Sequence, residues 1–557
     1  MTDIYGILQD TFGKTAFRTH QEEIIQDILG PSKRDLLVLM PTGGGKSLCY
    51  QLSAVASPGW TLVISPLIAL IWDQIDDLKK HGLEAAYWRS DLTNDERAKI
   101  HEGLSTGQMK ILYTTPEMMA TSLQLTALVK KAYDSETGPT GPAGPAGPAG
   151  STGVTGVPTG GLDRIVIDEA HCVSNWGHEF RESYLELTRL KRHYPGIQLV
   201  AFTATATPEV QMDIIRILGL CNSVRVYRQS YVRENLHYLV RSRDRVNMFT
   251  TIHRWIRDND YLRRTGIIYC LSRSDCENTC VELRKKGLSV EYFHAQIPTA
   301  QKKQIQQRWI EGKTKIIVAT IAFALGINKS NVRFVIHCAL PKSIEGYYQE
   351  TGRAGRDGRT SRCLLLYSRQ DKHILQSMAR KTVTGTGTGP SLLNPVKRVE
   401  DMYTYASDRL DCRVQSLCRY LGENLSYQCG NCDNCTGTNS YGKEKSIIKY
   451  VESLRSFFTR HMASHPETLP TKADLLRELS VCAVNLSTAD RQRLIYELIV
   501  RNYLDIQTGL DSDNNITSQC HWNYGKALDP SLMMLLPDNS VTDYFEIAIR
   551  PQTGASV

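Results

Sequence analysis

The segment Pro41-Thr42-Gly43-Gly44-Gly45-Lys46-Ser47 puts three glycines ahead of a lysine and a hydroxyl. Glycine lets successive backbone N–H groups curl around phosphate oxygens, and a helix starting there adds partial positive charge. Lys46 is placed to reach the β- and γ-phosphates of a nucleotide, and Ser47 to ligate Mg²⁺. Met40 stands where the strict phosphate-loop pattern has its first glycine, so the match is partial and leans on its strand–loop–helix context. Asp168-Glu169-Ala170-His171 follows another apolar run. An acid at a strand's C-terminal end suits Mg²⁺ (Asp168), and the next acid can orient and deprotonate a water (Glu169). Further on, Gln349-Glu350-Thr351-Gly352-Arg353-Ala354-Gly355-Arg356-Asp357-Gly358 carries two arginines, each after a glycine, suited to stabilising charge on a transferred γ-phosphoryl group.

These groups need strands to hold them. Apolar, β-branched runs at 36–40, 61–65, 110–114, 164–168 and 198–202, then at 266–270, 315–319, 333–337 and 362–367, alternate with helix-length segments. Runs apolar on both faces indicate parallel sheets buried between helix layers. Two such series predict an α/β chain of two tandem domains meeting at a cleft, with the break near residues 225–245. The 557 residues allow three to four domains, and 41% apolar with 22% charged residues is the composition of a globular chain. No run reaches the roughly 18–20 apolar residues that span a bilayer, so no membrane partner is expected. The first ten residues lack the basic-then-apolar order of an export signal, which predicts an intracellular, soluble protein. A net charge of +8 permits a polyanionic partner without requiring one.

Glycine recurs at every third position from Gly138 to Gly156, in the Gly-X-Y pattern of collagen. Its short length and its place between two strands of one domain predict a surface insertion, not a trimerising triple helix. Thr382 to Pro390, rich in Gly and Thr, reads as a linker. Fifteen cysteines without an export signal favour reduced thiols or a metal over disulfides. Cys429, Cys432 and Cys435 have C-x₂-C-x₂-C spacing, and Cys412 and Cys418 both lie upstream as candidates for a fourth ligand. Trp176 and Phe180 offer faces on which bases can stack, and Arg181 adds charge. A pair packed beneath a loop would look the same.

Taken together the motifs resemble the RecQ family of superfamily 2 DNA helicases, over about residues 1–535. Phe17-Arg18-Thr19-His20-Gln21 resembles the family's adenine-recognition motif, implying that Gln21 reads the base with Phe17 and Arg18 in support. Met40 to Gln51 resembles motif I, Ser65 to Leu70 with Asp73-Gln74 motif Ia, and Thr115-Pro116-Glu117 motif Ib. His171 to Arg181 followed by Tyr184 resembles the family's aromatic-rich loop, which couples single-stranded DNA to hydrolysis. Phe202 to Ala206 resembles motif III, Tyr269 to Arg273 motif IV, and Val318-Ala319-Thr320 through Gly326-Ile327-Asn328-Lys329 motif V. The resemblance implies nucleotide contacts at Gly43, Gly44, Gly45, Gln349 and Asn328, and DNA contacts at Trp176, Phe180, Arg181, Ser272, Arg273 and Thr320. It selects Cys412 as the fourth ligand of a structural Zn²⁺. Ala324, and Gln296-Ile297 after His294-Ala295, depart from the family pattern.

The expected organisation is a RecA-like domain at 1–228 with an insertion at 137–161, a second at 229–370, a linker and zinc module at 371–440, a winged-helix-like domain at 441–536 and a tail at 537–557. The expected activity is ATP-dependent 3′-to-5′ unwinding of DNA in recombination or repair, with ATP, Mg²⁺ and Zn²⁺ as cofactors. The expected partners are single-stranded and forked duplex DNA, with single-stranded-DNA-binding or recombination proteins as candidates, in the nucleus or wherever DNA is metabolised. The alternatives are a DNA-stimulated translocase, an RNA helicase, or a DNA-binding scaffold with a decayed ATP site.

Overall fold

The structure, a computed structural model, describes residues 3–137, 160–174, 181–220, 224–243, 247–323, 329–383, 393–408, 411–436, 443–446, 448–465, 469–482, 494–495, 504–510, 516–522, 533–536 and 549–550. The Gly-X-Y tract, Trp176, Phe180 and Asn328 lie outside them. Two compact units emerge. One comprises 1–236, 245–364 and 418–424, and the other 237–244, 365–417 and 425–557.

The first unit begins with a sheet of seven strands: β1 Leu36–Leu39, β2 Trp60–Ile64, β3 Glu84–Tyr87, β4 Met109–Thr114, β5 Leu162–Ile167, β6 Gln198–Thr203 and β7 Arg225–Arg228. Their spatial order is β3-β4-β2-β5-β6-β1-β7. Its strands pair in parallel, with Leu36 opposite Val200 and Ile64 opposite Ile167. Alternation along each strand serves two helix layers. Leu37 and Leu39 enter one apolar cluster, while Leu36 and Val38 enter another on the opposite face. A second sheet contains β8 Leu236–Ser242, β9 Thr265–Tyr269, β10 Val290–Phe293, β11 Ile316–Ala319, β12 Val332–His337 and β13 Ser361–Tyr367, in the order β10-β11-β9-β12-β13-β8. Close packing is evident at Gly266, where a Cβ would lie 2.1 Å from the Phe334 ring.

All nine expected strands are present, each within two residues of its expected ends. The four strands of these two sheets that the sequence analysis did not anticipate, β3, β7, β8 and β10, are their edges. Three of them are only four residues long, and none is buried throughout. An edge strand packs against fewer neighbours and so needs no continuous apolar run.

In the other unit, helices Arg369–Val383 and Leu393–Ser407 are joined by the Lys372–Glu400 ion pair at 2.6 Å. The first helix extends through Val383, so the expected linker starting at Thr382 is helical at its first two residues, and the rest lies outside the described residues. Helices Ile448–Ser464 and Lys472–Cys482 follow, then an antiparallel pair, Leu504–Leu510 with Ile516–Trp522. No helix among the described residues is long and apolar enough to cross a membrane.

Helix Ile68–Lys80 carries a charge conflict. Asp73 is half-buried, with Asp76 and Asp77 one turn away, and burial followed by the Asp76 charge pushes its carboxyl up to about 6 from 3.8. A raised pKa in the folded state means stability is full below about 4 and is lost as pH rises through about 6. Asp73→Asn should therefore match the wild type in denaturant unfolding at pH 4 and exceed it at pH 7.5. A variant less stable at pH 7.5 than at pH 4, relative to wild type, would contradict this origin.

Candidate nucleotide and nucleic-acid site

The loop between β1 and helix Lys46–Ala56 owes its shape to its glycines. Gly43 and Gly45 have φ of +83° and +92°, which side chains disfavour. A Cβ on Gly45 would lie 2.3 Å from Gln21 Nε2. Gln21 donates from Nε2 to the carbonyls of Gly45 at 3.1 Å and Gly44 at 3.4 Å, and accepts from the Arg18 N–H at 2.8 Å. Arg18 Nη1 donates to Gly43 O at 2.5 Å, and Phe17 packs edge-on against Tyr5. In this conformation the expected base-reading group is thus engaged with the phosphate loop. Lys46 Nζ donates to Met40 O at 3.4 Å, and Ser47 stands beside it at the helix start.

Asp168 follows β5, buried, its N–H bonded to Ile64 O at 2.9 Å. Burial raises its carboxyl pKa, and the Lys46 charge opposes that rise. Glu169 adopts φ +48°, a left-handed conformation that costs about 1–3 kcal/mol in a non-glycine residue. Its N–H donates to Asp168 Oδ1 at 3.0 Å, and its Oε2 lies 3.3 Å from His171 Nδ1. His171 is fully buried and also meets Thr203 Oγ1 at 2.9 Å, while Thr203 bonds Thr205. Tyr184 donates its hydroxyl to Asp168 O at 2.9 Å. Arg181, expected on DNA, donates Nη1 to Pro66 O at 2.9 Å, tying the end of the aromatic-rich segment to the segment at Ser65 that resembles motif Ia.

The second sheet's arginine segment lies against this loop. A Cβ on Gly43 would be 3.5 Å from Arg356 Cγ and 3.6 Å from Arg233 Nη1, and one on Gly352 would be 3.0 Å from Thr42 Cβ. Arg356 is desolvated beside Arg353 and Arg233, which brings its pKa down to about 10. Gly355 has φ +58°, and its carbonyl accepts from Asn235 Nδ2 at 2.8 Å. Gln349 is buried on helix Ile344–Thr351 leading into the segment. Ser272 caps helix Arg273–Lys285, accepting from Asp275 N–H at 3.1 Å. Thr320 follows the neighbouring strand β11, so both sit at C-terminal strand ends, with Arg273 exposed.

Arg233 is a residue that sequence reasoning missed. Its Nη1 donates to Thr42 O at 2.9 Å, and its Nη2 to Gly355 O at 3.0 Å and Ala354 O at 3.2 Å. One guanidinium thus straps the phosphate loop to the arginine segment. A lone arginine in a connector carries no motif signal, and only its position between the two sheets marks it.

In the other unit, Cys412, Cys429, Cys432 and Cys435 bring their sulfurs within 4.8 Å of one another. Backbone N–H groups of Cys429, Arg413 and Cys435 point at sulfurs of Cys412 (3.2 Å) and Cys432 (3.4 Å each). Such donors stabilise thiolates, and four sulfurs at this spacing fit tetrahedral Zn²⁺ with no open position. Cys418 is buried but is no member of the group. Arg413, fully buried, donates Nε to Asp433 Oδ1 at 2.9 Å and binds the Tyr405 carbonyl, fixing the cysteine segment to its helices.

A phosphate loop and an Asp-Glu-Ala-His strand end on one parallel sheet, faced by arginines from a second, define a two-lobed, nucleotide-dependent helicase fold. The DEAD/DEAH box helicase family matches residues 18–214, the helicase conserved C-terminal domain residues 248–358, and the RecQ zinc-binding family residues 369–436. The chain is 39% identical to the ATP-dependent DNA helicase hus2/rqh1 of Schizosaccharomyces pombe over 81% of its own length and 32% of that protein. It is 37% identical to a Caenorhabditis briggsae protein named as an ATP-dependent DNA helicase Q1, over 89% of this chain and 76% of that one. The DNA-bound helicase MrfA shares the fold, with a TM-score of 0.52 at 17% identity over 76% of this chain and 59% of that one. The chain belongs to the RecQ family of DNA helicases. It spans about a third of the length of several curated relatives that it matches.

Two outcomes test the site. Arg233→Ala should lower kcat for nucleotide hydrolysis roughly 10- to 100-fold while leaving the melting temperature within a few degrees, and Arg233→Lys, which keeps the charge but not the fork, should fall between. Metal analysis should give one zinc per chain, lost in Cys412→Ser and retained in Cys418→Ser.

Proposed function

We propose that the protein is an ATP-dependent DNA helicase that translocates 3′ to 5′ on single-stranded DNA and unwinds forked duplexes in recombination or repair. The observation carrying this reading is the placement of Arg233 and Arg356 against the glycines of the phosphate loop, so that one nucleotide would meet groups from both sheets. Lys46 binds the β- and γ-phosphates, with Gly43, Gly44, Gly45 and Gln349 around the nucleotide. Gln21, released from the loop carbonyls, reads adenine with Phe17 and Arg18 beside it. Ser47 and Asp168 offer the hard oxygen donors that Mg²⁺ prefers, and the ion would neutralise charge on the β- and γ-oxygens.

Glu169 orients water and takes its proton as oxygen adds to the γ-phosphorus. The bond to the β,γ-bridging oxygen breaks and ADP departs with that electron pair. Arg353 and Arg356 stabilise the charge gathering on the transferred group. Losing the γ-phosphate removes the anion between like-charged arginines, which biases the lobes apart and drives strand movement. Ser272, Arg273 and Thr320, at the C-terminal ends of their strands, contact the tracked strand together with Trp176, Phe180 and Arg181, while Asn328 joins the nucleotide contacts. The antiparallel pair near the C-terminus belongs to a winged-helix-like domain. Nuclear location and association with recombination or single-strand-binding proteins fit this role.

The test is steady-state hydrolysis with and without single-stranded DNA. DNA should stimulate turnover strongly. Lys46→Ala should abolish it, and Glu169→Gln should retain ATP binding but lose roughly 10²–10⁴-fold in kcat. Turnover indifferent to DNA would defeat the proposal. Stimulation by RNA but not DNA would replace it with the RNA-helicase reading.

A further inference from the structure

Beside the arginine segment, where the strands of the second sheet begin, lies a cavity of about 710 Å³ lined by Asp357 and Arg359 but by none of Lys46, Arg233, Arg353 or Arg356. Thr265 opens β9, and Lys315, Asn331 and Thr360 immediately precede β11, β12 and β13, so the cavity spans the starts of four neighbouring strands. β11, β9 and β12 run parallel, so their starts share one end of the sheet, while Ser272 and Thr320 follow the other. A five-residue strand spans about 16 Å, so a DNA strand lying across the motif-bearing ends does not occupy this cavity.

Its lining is strongly basic: Arg263, Arg264, Lys315, Lys329, Arg333 and Arg359. The two carboxylates present are already committed. Glu311 pairs with Lys313 at 2.7 Å, and Asp357 pairs with Arg333 at 2.6 Å and accepts the Arg359 N–H at 3.2 Å. Among the described residues, Arg263, Arg264, Lys315 and Arg359 have no acidic partner within 4.0 Å. Arg333 is 11% exposed, and its buried Nη1 has no hydrogen-bond partner among the described residues. Lys329 is drawn inward, donating to Ile310 O at 2.8 Å over the Trp309 ring, where burial and then the Lys315 charge depress its pKa. Several like charges facing one concavity repel each other unless an anion lies between them.

We infer that this cavity is a second phosphate-binding site, separate from the nucleotide crevice. Phosphate suits it better than carboxylate, because each group brings more charge and more acceptor oxygens for forked guanidinium donors. The phosphates come either from a nucleic-acid backbone outside the tracked strand or from a free oligophosphate, and the two sources share one recognition chemistry.

The inference does not rest on helicase activity, because binding is read directly. With the nucleotide crevice saturated by a non-hydrolysable ATP analogue, full-length wild type and Arg264→Glu/Arg359→Glu are titrated with inorganic tripolyphosphate, short duplex DNA and polyglutamate. Both altered residues are exposed, and thermal melting confirms folding; Arg264→Ala/Arg359→Ala serves as a second, milder variant. The wild type should bind tripolyphosphate or duplex about tenfold or more tightly than the reversal, with a shallower salt dependence of duplex binding in the variants. DNA-free ATP hydrolysis should be unchanged. Loss confined to duplex identifies a nucleic-acid backbone, and loss confined to tripolyphosphate a free anion; either supports the site. Equal affinity of wild type and variants for both phosphate probes overturns it, and so does a loss seen with polyglutamate alone.

Discussion

Positive charge gathered on one short loop is the constraint on which the rest of the first unit depends. Lys46 stands on that loop, Arg233 donates to it, and Arg356 packs against it with Arg353 alongside. Asp168 opposes Lys46, and its own burial works against ionisation. Backbone carbonyls therefore hold the cations in the conformation described: Met40 for Lys46, Thr42 and Gly355 for Arg233. A nucleotide triphosphate is a stronger acceptor for every one of them. In the proposed cycle it would replace these carbonyl bonds and draw the two sheets' contributions onto a single anion.

The same site is tied to Pro66 and to β6 by a short sequence of polar contacts. Glu169 is held in a strained backbone conformation, its carboxylate near His171, which meets Thr203 at the end of the interior strand β6. Tyr184 holds the Asp168 carbonyl, and Arg181, three residues earlier, holds Pro66. Strain at the group proposed to take the proton is consistent with surroundings that over-determine its position. A shift at Pro66 would reach Asp168 through two side chains and a 3₁₀ turn, which gives the proposed coupling between DNA and hydrolysis a physical route.

The cysteine module relies on different physics. Four sulfurs converge with backbone N–H groups aimed at them, and a fully buried arginine is satisfied by Asp433, Asn434 and a carbonyl. A buried ion pair of this kind adds little net stability over apolar packing, but leaving either partner alone is costly. Its geometric value is to fix the cysteine segment so that the ligands are pre-arranged for a metal.

Much of the fold was readable because it is written in local composition. Buried parallel strands must be apolar throughout, so nine of them stand out. Three glycines before Lys46, the acids at 168 and 169, and cysteines three residues apart suggest their chemistry from spacing together with the strand or helix beside them. Edge strands were not readable, because they pack on fewer neighbours and carry mixed residues. Nor could spacing distinguish Cys412 from Cys418, a choice made by resemblance and matched by the sulfur distances. Arg233 and the basic cavity were invisible for the same reason: their members lie far apart in the chain, and none is unusual by itself. Local sequence sets which segments become buried strands and which loops carry the glycines for a phosphate-binding conformation, since those depend on neighbours a few residues away. Which distant cations converge emerges with the tertiary fold, because convergence in space is a property of how strands are ordered in a sheet and not of any one segment.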